Sequence, residues 1–527
     1  MTVHHVWIGG RWREAQASDT FQADDPAKAQ PLADRFPIST WADIDEALGA
    51  AASAAEGLEK CSGDQIGAFL DAFAAAIERQ REPLVAMAHA ETALPVKPRL
   101  ADVELPRAVN QLREAARSAR EGSWLVPTID AKLGIRSCHA PLGPVLVFGP
   151  NNFPFAFNSV SGGDFAAAIA GGNPVIAKAN TSHPGTTRLL ALAADEALRQ
   201  SELPSTTVQL IYRTSHEDGM RAVADARAGA TGYTGSRAAG LALKRAADRA
   251  GKPIYLELSS VNPVIILPGA LRTRGDEIVA EFATSCLMGT GQFCTNPGLV
   301  LLMAGPESQG FIAAISDKFQ SAPVGTLLSN GVARSLGRSV ESLMAAGARL
   351  LAGGKPGGGA GYSFANTLLT ANGSQFLTNP EAFQTEAFGN ASLVVVAGDV
   401  AELSKIIDRL EGNLTGCIYS DRDGTDDTTY DLLAPKLHRR VGRLLNDKMP
   451  TGVAVSPAMN HGGPYPATGH PGFTAVGIPA AVRRFSALRC YDNVRAHRLP
   501  VALRDKNPTG KMWRLIDGCW TQADVAG

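Results

Sequence analysis

The sequence predicts an α/β protein that contains a doubly wound nucleotide-binding domain. Short apolar strands alternate with helices from Pro144 onward, and the alternation restarts after Leu258. Such alternation is typical of parallel sheets with right-handed crossovers. The chain of 527 residues is also too long for one hydrophobic core. We therefore expect about three domains, of which two are α/β.

The first 120 residues are predicted to be helical after a short strand near residues 6–12. Ser39 or Thr40 can cap the first helix, and a three-four spacing of apolar residues predicts the second. A third, arginine-rich helix is expected near residues 103–120. The expected inward positions are Ile44, Ala47, Leu48 and Ala51 in the first helix, and Ile66, Phe69, Leu70, Phe73 and Ile77 in the second.

The strands of the nucleotide-binding domain are short and bounded by proline, glycine or polar residues. The segment after Leu258 begins the second α/β domain with PVIIL, a helix through Cys286 and the strand GLVLLMA. Ligands of open α/β sheets bind at the carboxyl ends of the strands, so those ends are the expected site. The predicted strands of the first domain are 144–148, 174–179, 206–212, 230–233 and 253–258.

Composition excludes several classes of function. A content of 45% hydrophobic and 19% charged residues is ordinary for a soluble globular protein, and the net charge of −1 provides no field for nucleic acid or an anionic membrane. The N-terminus does not resemble a signal peptide, and the apolar runs are only as long as strands. Seven cysteines without CxxC pairs indicate reduced thiols and a cytoplasmic protein, and ten dispersed histidines give no indication of a metal site.

Three polar residues follow predicted strands or lie on tight loops. Cys294 lies in GTGQFCTNPG, where glycine and proline punctuation can present a thiolate to a cleft. Glu257 ends the strand PIYLEL, and Asn152 follows a strand in GPNNFPF. Each residue alone also fits a structural role, as a buried thiol, a strand-end carboxylate or a loop amide. Together they provide a nucleophile, a base and an oxyanion donor.

Two other classes of protein can carry a similar set of residues. A cysteine acyltransferase or hydrolase needs a histidine base near the thiol, and the sequence indicates no histidine near Cys294. It would also have no use for a nucleotide-binding sheet. A non-catalytic scaffold would tolerate the loss of Cys294, Glu257 or Asn152, yet all three are present.

Six ordered motifs resemble those of the aldehyde dehydrogenase superfamily over nearly the whole chain. The resemblance implies an aldehyde dehydrogenase fold and oxidation of an aldehyde to an acid through a cysteine thioester. It makes Cys294 the nucleophile, Glu257 the general base and Asn152 the oxyanion donor. The motifs are GPNNFPF (149–155), GGNPVIAKANTSHPGTT (171–187), GYTGS (232–236), YLELSSVNP (255–263), GQFCTNPG (291–298) and TEAFGN (385–390).

The same resemblance implies which residues hold a nicotinamide dinucleotide. Lys178, Glu386 and Phe388 would hold its ribose and nicotinamide side, and Gly235 with Ser236 would lie near the pyrophosphate at a helix start. Two positions depart from the family pattern. Tyr233 replaces a phenylalanine, and Asn390 replaces a proline, which is expected to loosen the loop that presents Glu386.

The preferred cofactor is predicted to be NADP, with NAD as the alternative. Members that prefer NAD commonly have a glutamate three residues after the nucleotide lysine, and Thr181 stands there in this chain. A threonine removes charge repulsion against a 2′-phosphate and adds a hydroxyl donor. Lys178 and Arg213 would add positive charge beside it.

The C-terminal stretch resembles one branch of the superfamily. That branch includes α-ketoglutarate semialdehyde (2,5-dioxopentanoate) dehydrogenases and NADP-dependent fatty aldehyde dehydrogenases, which gives two candidate substrate classes. By the resemblance, Arg107 falls on the helix that lines the substrate funnel. An arginine there can grip a carboxylate through two hydrogen bonds, although a solvated helix arginine is the equal alternative.

Domain boundaries and assembly follow from the resemblance and the strand pattern. Residues 1–122 and 142–256 are assigned to a Rossmann-like cofactor domain, and 257–470 to the catalytic domain. Residues 123–141 and 471–527 are assigned to a small β oligomerisation arm and the C-terminal segment. The arm is expected to contain a hairpin over about 124–140 beside a strand near 488–493, and to pair subunits into a homodimer or homotetramer.

Overall fold

The structure is a computed structural model that describes residues 3–526. Its N-terminal region combines short strands with long helices. A π-helical turn at Val96–Glu104 leads into the fourth helix. The elements are β1 (Val6–Ile8), β2 (Arg11–Arg13), β3 (Ala17–Phe21), β4 (Asp24–Asp25), β5 (Gln30–Pro31), β6 (Phe36–Ser39), α1 (Trp41–Leu58), α2 (Gly63–Arg79), α3 (Arg81–Thr92) and α4 (Leu105–Glu121).

The predicted inward faces of α1 and α2 are confirmed, since every apolar position named for them is buried. Ser62 caps α2, because its hydroxyl accepts from the Gln65 amide while the Gln65 side chain accepts from the Ser62 amide. Thr40 occupies the N-cap position of α1, but its hydroxyl donates to the Gln16 carbonyl instead of capping the helix. The predicted cap is therefore correct in position and wrong in bonding.

A doubly wound sheet forms the first α/β domain. Its strand order is β13-β12-β9-β10-β11-β1-β2; the strands from β13 to β11 run parallel, and β1 and β2 add antiparallel at one edge. These parallel strands are buried almost throughout, as expected when helices cover both faces. The elements are β7 (Thr128–Asp130), β8 (Ile135–Pro141), β9 (Val145–Phe148), α5 (Gly163–Ala170), β10 (Val175–Lys178), α6 (Pro184–Arg199), β11 (Val208–Ile211), α7 (His216–Ala224), β12 (Ala230–Thr234), α8 (Arg237–Arg249) and β13 (Ile254–Glu257).

A second sheet forms the other α/β domain, in the order β16-β17-β18-β15-β14-β19-β20. Its strands run parallel except for the antiparallel pair β16 and β17. Separate apolar clusters cover its two faces. The elements are β14 (Val264–Ile266), α9 (Pro268–Leu287), β15 (Leu299–Met303), α10 (Pro306–Ser321), α11 (Asn330–Ala345), β16 (Arg349–Ala352), β17 (Thr367–Asn372), α12 (Gly373–Thr378), α13 (Pro380–Phe383), β18 (Ala391–Ala397), α14 (Val400–Asp408), β19 (Asn413–Tyr419), α15 (Asp427–His438) and β20 (Val441–Asn446).

The predicted hairpin and the C-terminal strand pair in a third sheet, whose order is β21-β8-β7-β22-β23. The buried Arg514 organises the C-terminal turns, because its guanidinium donates to the carbonyls of Arg504, Asp505 and Ala523. The elements are α16 (Ala480–Arg483), β21 (Ser486–Asp492), β22 (Arg514–Ile516) and β23 (Cys519–Thr521).

The segment between β20 and α16 links the two α/β domains. Phe473, Ala475 and Val476 pack into the apolar core of the first domain. Thr468 forms a bridge with Glu257, so the segment also lies against the carboxyl end of β13. The connection places residues that follow the second domain's last strand beside the first domain's strand ends.

Two expectations from composition can be compared with the structure. All seven cysteines, each within residues 3–526, are free thiols. Among the helices of that range, none combines the length and the apolar character needed to cross a membrane.

Candidate active site

Cys294 lies on a loop between a 3₁₀ turn at Met288–Gly291 and the strand β15. The Asn262 amide holds this loop by donating to the Cys294 carbonyl at 2.9 Å and to the Asn296 carbonyl at 2.8 Å. Gly291 has a positive φ, and a Cβ there would meet the Gly389 carbonyl oxygen at 2.1 Å. The thiol-bearing loop therefore packs directly on the loop that carries Glu386.

Glu257 ends β13, as predicted, and its side chain is 98% buried at the carboxyl edge of the sheet. Its Oε1 atom lies 3.1 Å from His461 Nε2, while its Oε2 atom is buried and has no hydrogen-bond partner among residues 3–526. The structure brings Glu257 and Cys294 together, since the nearest ligand atoms of Glu257, Cys294 and His461 all lie within 4.8 Å of one another.

His461 is the site residue that the sequence did not indicate. Its Nε2 atom lies 3.4 Å from the Cys294 sulfur, so the expectation that no histidine lies near Cys294 is wrong. The residue is buried, its amide donates to the Thr474 hydroxyl, and its carbonyl accepts from the Ala475 amide. The only signal was a polar residue before Gly-Gly in HGGPYPATGHPGF, 167 residues after Cys294.

Asn152 packs against the Cys294 loop through its side-chain amide. The amide donates to the Gln292 carbonyl at 3.0 Å, and Arg99 donates to the Asn152 carbonyl at 2.9 Å. The bond to Gln292 orients the side chain of this buried residue and leaves its second amide hydrogen to bind an oxyanion, while Arg99 holds its backbone. The placement therefore fits the predicted oxyanion donor.

The surroundings of Cys294 favour its neutral thiol at rest. Burial raises the pKa of Cys294 well above its usual value, and the negative charge of Glu257 raises it further. The positive charge of Arg107 acts in the opposite direction. A thiol in this setting needs a base before it can act as a nucleophile, and the His461 imidazole is within reach of its proton.

Arg107 lies on α4 above the aromatic rings near the site. Its guanidinium carbon is 5.1 Å from the centre of the Phe157 ring and 5.8 Å from that of Phe153. Its Nε atom donates to Gln111, but its buried Nη2 atom has no hydrogen-bond partner among the described residues. Burial lowers the pKa of Arg107, while the nearby Cys294 and Glu104 groups raise it. As a whole Arg107 is half-buried, and its Nη2 atom is shielded from solvent.

Five of the predicted nucleotide residues lie at the carboxyl ends of three strands, β10, β11 and β12. Lys178 is the last residue of β10, and burial together with the charge of Arg213 lowers the pKa of Lys178 to about 8. Thr181 and Arg213 are both exposed. Ser236 is the N-cap of α8, and its carbonyl accepts from the Tyr233 hydroxyl. The Tyr233 oxygen would lie 2.7 Å from a Cβ at Gly235, so any larger residue there would have to displace the Tyr233 side chain.

Glu386 and Phe388 line a pocket with Ser260 and Phe293. Burial raises the pKa of Glu386 to about 7, against hydrogen bonds from Ser259 and Ser260 that lower it. The substitution at Asn390 does not loosen this loop, contrary to expectation. Its buried amide donates to the Phe364 carbonyl and to the Asn366 side chain, both at 2.7 Å, and these bonds pin the chain where a proline would lack any donor.

Comparison with known proteins identifies the class to which this fold and site belong. Residues 12–437 match the model of the aldehyde dehydrogenase family, and the chain belongs to that family. It is an aldehyde dehydrogenase, as its sequence motifs predict, and enzymes of this kind use NAD or NADP.

Two relatives match nearly the full length of the chain. Alpha-ketoglutaric semialdehyde dehydrogenase 2 of Azospirillum brasilense is 38% identical over 523 residues, which cover 96% of this chain and 97% of the relative. Alpha-ketoglutaric semialdehyde dehydrogenase of Acinetobacter baylyi is 35% identical over 528 residues, with 98% of each chain covered. These similarities confirm the resemblance to that branch.

Solved structures confirm the fold class. A 3,6-anhydro-L-galactose dehydrogenase solved in complex with NAP aligns with a TM-score of 0.80 at 19% identity, over 93% of this chain and 99% of that one. PnpE from Pseudomonas sp. WBC-3 aligns with a TM-score of 0.79 at 20% identity, over 94% and 99% of the two chains. At these identities the alignments show the fold alone.

Proposed function

We propose that this enzyme oxidises α-ketoglutarate semialdehyde to α-ketoglutarate, with NADP as its preferred cofactor. The observation that carries the substrate assignment is the buried, unpaired Nη2 atom of Arg107 beside the Cys294 site. A buried guanidinium nitrogen without a partner is costly, and a carboxylate at the far end of the substrate would pair with it. The two relatives named for this substrate add support.

Fatty or other aliphatic aldehydes are the second candidate substrates. Phe153, Phe157 and Phe293 form an edge-to-face cluster near the site, and such a cluster suits an apolar chain. Arg99 and Arg107 both lie over these rings, so an apolar substrate would leave the Arg107 charge unpaired. The cation therefore favours the semialdehyde.

The proposed mechanism begins with proton transfer from the Cys294 thiol. His461 Nε2 contacts both Cys294 Sγ and Glu257 Oε1, so the imidazole can accept the thiol proton while the carboxylate stabilises the resulting cation. The Cys294 thiolate attacks the aldehyde carbon. The Asn152 amide and the Cys294 backbone amide bind the oxyanion, and losing one such donor typically costs about 3–4 kcal/mol of barrier.

The second half of the reaction releases the acid. A nicotinamide cofactor, which Lys178, Glu386 and Phe388 would hold, would supply the acceptor for the hydride that leaves the tetrahedral carbon, and Cys294 would remain as a thioester. Glu257 then takes a proton from water, whose oxygen attacks the thioester carbon and expels the Cys294 thiolate. Burial of Glu257 excludes bulk water from its carboxylate, and we propose that one water molecule admitted beside it is the nucleophile.

Replacing Arg107 by methionine tests the substrate assignment. We expect kcat/KM for α-ketoglutarate semialdehyde to fall roughly 30- to 1000-fold, since breaking a buried carboxylate pair costs about 2–4 kcal/mol. For hexanal, which has no carboxylate, kcat/KM of the variant should be at least as high as that of the parent enzyme. The measurement is steady-state reduction of the cofactor with both aldehydes.

Arg117→Met is the matched control for this test, because Arg117 lies on the same helix and its side chain is 65% exposed. Its one ion pair within residues 3–526 is a long surface contact of 3.9 Å with Glu114. This variant should leave kcat/KM unchanged for both α-ketoglutarate semialdehyde and hexanal. An equal loss for hexanal and for the semialdehyde in Arg107→Met would contradict a carboxylate anchor.

The proposal of NADP rests on the charges near β10 and β11. Arg213 lies close enough to Lys178 to lower its pKa, so two cationic side chains face this region. Thr181 brings a hydroxyl and no charge to the exposed turn that follows. A 2′-phosphate would be attracted here, whereas a glutamate at position 181 would repel it.

Thr181→Glu should move the preference from NADP toward NAD. A close like-charge pair is worth about 1–3 kcal/mol, so the ratio of kcat/KM for NADP to that for NAD should fall roughly 5- to 150-fold. The change should lie mainly in KM, because the phosphate is remote from the hydride. Thr181→Gln controls for side-chain length, and a parent enzyme that already prefers NAD would contradict the proposal.

We propose that the third sheet, β21-β8-β7-β22-β23, forms an arm that pairs subunits. We also propose that the protein is cytoplasmic. The outer strands β21 and β23 have unpaired edges in the single chain, and several large apolar side chains on the arm are exposed. These side chains are Leu133, Leu488, Trp513 and Trp520. The free thiols support a reducing compartment.

Light scattering at micromolar concentration tests this assembly. A chain of 55.2 kDa should give a mass of twice or four times that value. Leu488→Arg on the edge strand β21 should shift the protein toward smaller species, because a charge there disfavours edge pairing. A monomeric mass for the unmodified protein would refute the proposal.

A further inference from the structure

Glu257, Cys294 and His461 form a cluster of three metal-binding side chains in one buried place. The His461 Nε2 atom is 3.4 Å from the Cys294 sulfur and 3.1 Å from Glu257 Oε1. All three ligand atoms lie within 4.8 Å of one another. The cluster joins thiolate, imidazole and carboxylate ligands, which are the three kinds that zinc binds in proteins.

The two separations that involve His461 are close to those of a zinc centre, and the third lies within 4.8 Å. With bond lengths of about 2.3 Å to sulfur and about 2.0–2.2 Å to nitrogen or oxygen, tetrahedral geometry puts sulfur and nitrogen roughly 3.6 Å apart, and nitrogen and oxygen roughly 3.4 Å apart. The observed separations are shorter by a few tenths of an ångström. Small side-chain rotations would therefore admit the ion.

A second observation also points to a cation. Glu257 is 98% buried, and its Oε2 atom has no hydrogen-bond partner among residues 3–526. An ion bound by the carboxylate would satisfy this charge. The positive charge of Arg107 opposes cation binding, but the Glu257 carboxylate and the Cys294 thiolate would together offset the two charges of the ion.

We propose that Glu257, Cys294 and His461 bind one Zn²⁺ ion, and that this binding reversibly blocks aldehyde oxidation. The Cys294 thiol loses its proton to solvent as the sulfur–zinc bond forms, and no electrons are transferred. The nucleophile and both proton acceptors of the reaction would then be occupied by the metal. Three protein ligands leave a fourth position for water, as in open zinc sites.

The binding experiment uses the full-length enzyme freed of metal by a chelator, without aldehyde or cofactor. Calorimetric titration with Zn²⁺ should show one site per chain and the release of about one proton. Titration with Co²⁺ should produce the thiolate charge-transfer absorption and the intense visible bands of a tetrahedral cobalt site. Because substrate is absent, failure here would leave the proposed function untouched.

Cys294→Ser and His461→Asn should each weaken Zn²⁺ binding at least roughly 100-fold. The control variants are Cys490→Ser and His470→Asn, since both residues are exposed and Cys490 lies on the distant arm. They should bind as the parent does. In the parent enzyme, Zn²⁺ should abolish activity and a chelator should restore it.

A thermal measurement covers the case in which a variant is unstable. Zn²⁺ should raise the Tm of the parent enzyme and leave that of Cys294→Ser unchanged, because only a folded site binds the ion. Zinc binding that survives in either His461→Asn or Cys294→Ser, or inhibition that a chelator does not reverse, would overturn the proposal.

Discussion

Replacing Cys294 by alanine should abolish aldehyde oxidation while leaving cofactor binding nearly intact. The thiol is the only nucleophile proposed for the aldehyde carbon, so its loss should lower kcat by roughly 10⁴-fold or more. Most residues proposed to hold the cofactor lie at the ends of β10, β11 and β12, and among the described residues Cys294 Sγ is hydrogen-bonded to His461 and not to Lys178. Glu386 lies on the neighbouring loop, but it accepts a hydrogen bond from the Ser260 amide rather than from the thiol. Turnover with the semialdehyde and fluorescence titration with NADP are the two measurements.

Cys490→Ala is the matched control, because Cys490 is an exposed thiol on the arm strand β21. Its turnover should equal that of the parent enzyme. If Cys294→Ala kept a tenth of the parent turnover, the thioester route would be wrong. Equal loss of turnover and of NADP binding would instead indicate a damaged site.

Changing Glu257 to glutamine should separate the two halves of the reaction. His461 would still contact Cys294 Sγ at 3.4 Å and could accept the thiol proton, so the thioester should form and the cofactor should be reduced once. Release of the acid should slow roughly 100- to 10⁴-fold, because the amide cannot take a proton from water. Stopped-flow absorbance should show a burst of reduced cofactor and then a slow steady rate.

The burst amplitude identifies which step is affected. An amplitude near one per active site would show that Glu257 acts in a step after hydride transfer. The slow steady rate should then rise with pH, because hydroxide replaces the missing base. An unchanged steady rate without a burst would remove Glu257 from the mechanism. A variant with neither burst nor turnover would instead make Glu257 the acceptor of the thiol proton.

Much of the architecture could be predicted from local patterns. Continuous apolar strands between helices predict buried parallel sheets, and Glu257 and Lys178 could be placed at strand ends because sheet strands end where their apolar runs end. The Cys294 loop was recognisable from its glycine and proline residues. These features depend on short stretches of chain, so one sequence is enough to read them.

His461 could not be found in that way. It lies on an irregular loop, and its contact with Cys294 depends on how the segment after β20 crosses back to the first domain. Asn390 was misread for a related reason, since its role depends on the carbonyl of Phe364 on a distant part of the chain. Long-range packing of irregular segments leaves no periodic signal in the sequence.

The linking segment has a consequence for building hybrid enzymes. His461 is encoded after the last strand of the second sheet, yet its neighbours Phe473, Ala475 and Val476 are buried in the first domain. A chimera joined at the end of the second sheet would pack this segment against a foreign surface. The backbone of the segment would then shift and carry the His461 imidazole away from Cys294. Recombination that keeps residues 456–479 with the parental first domain should preserve the active centre. The segment that must be exchanged together is therefore larger than either sheet with its helices.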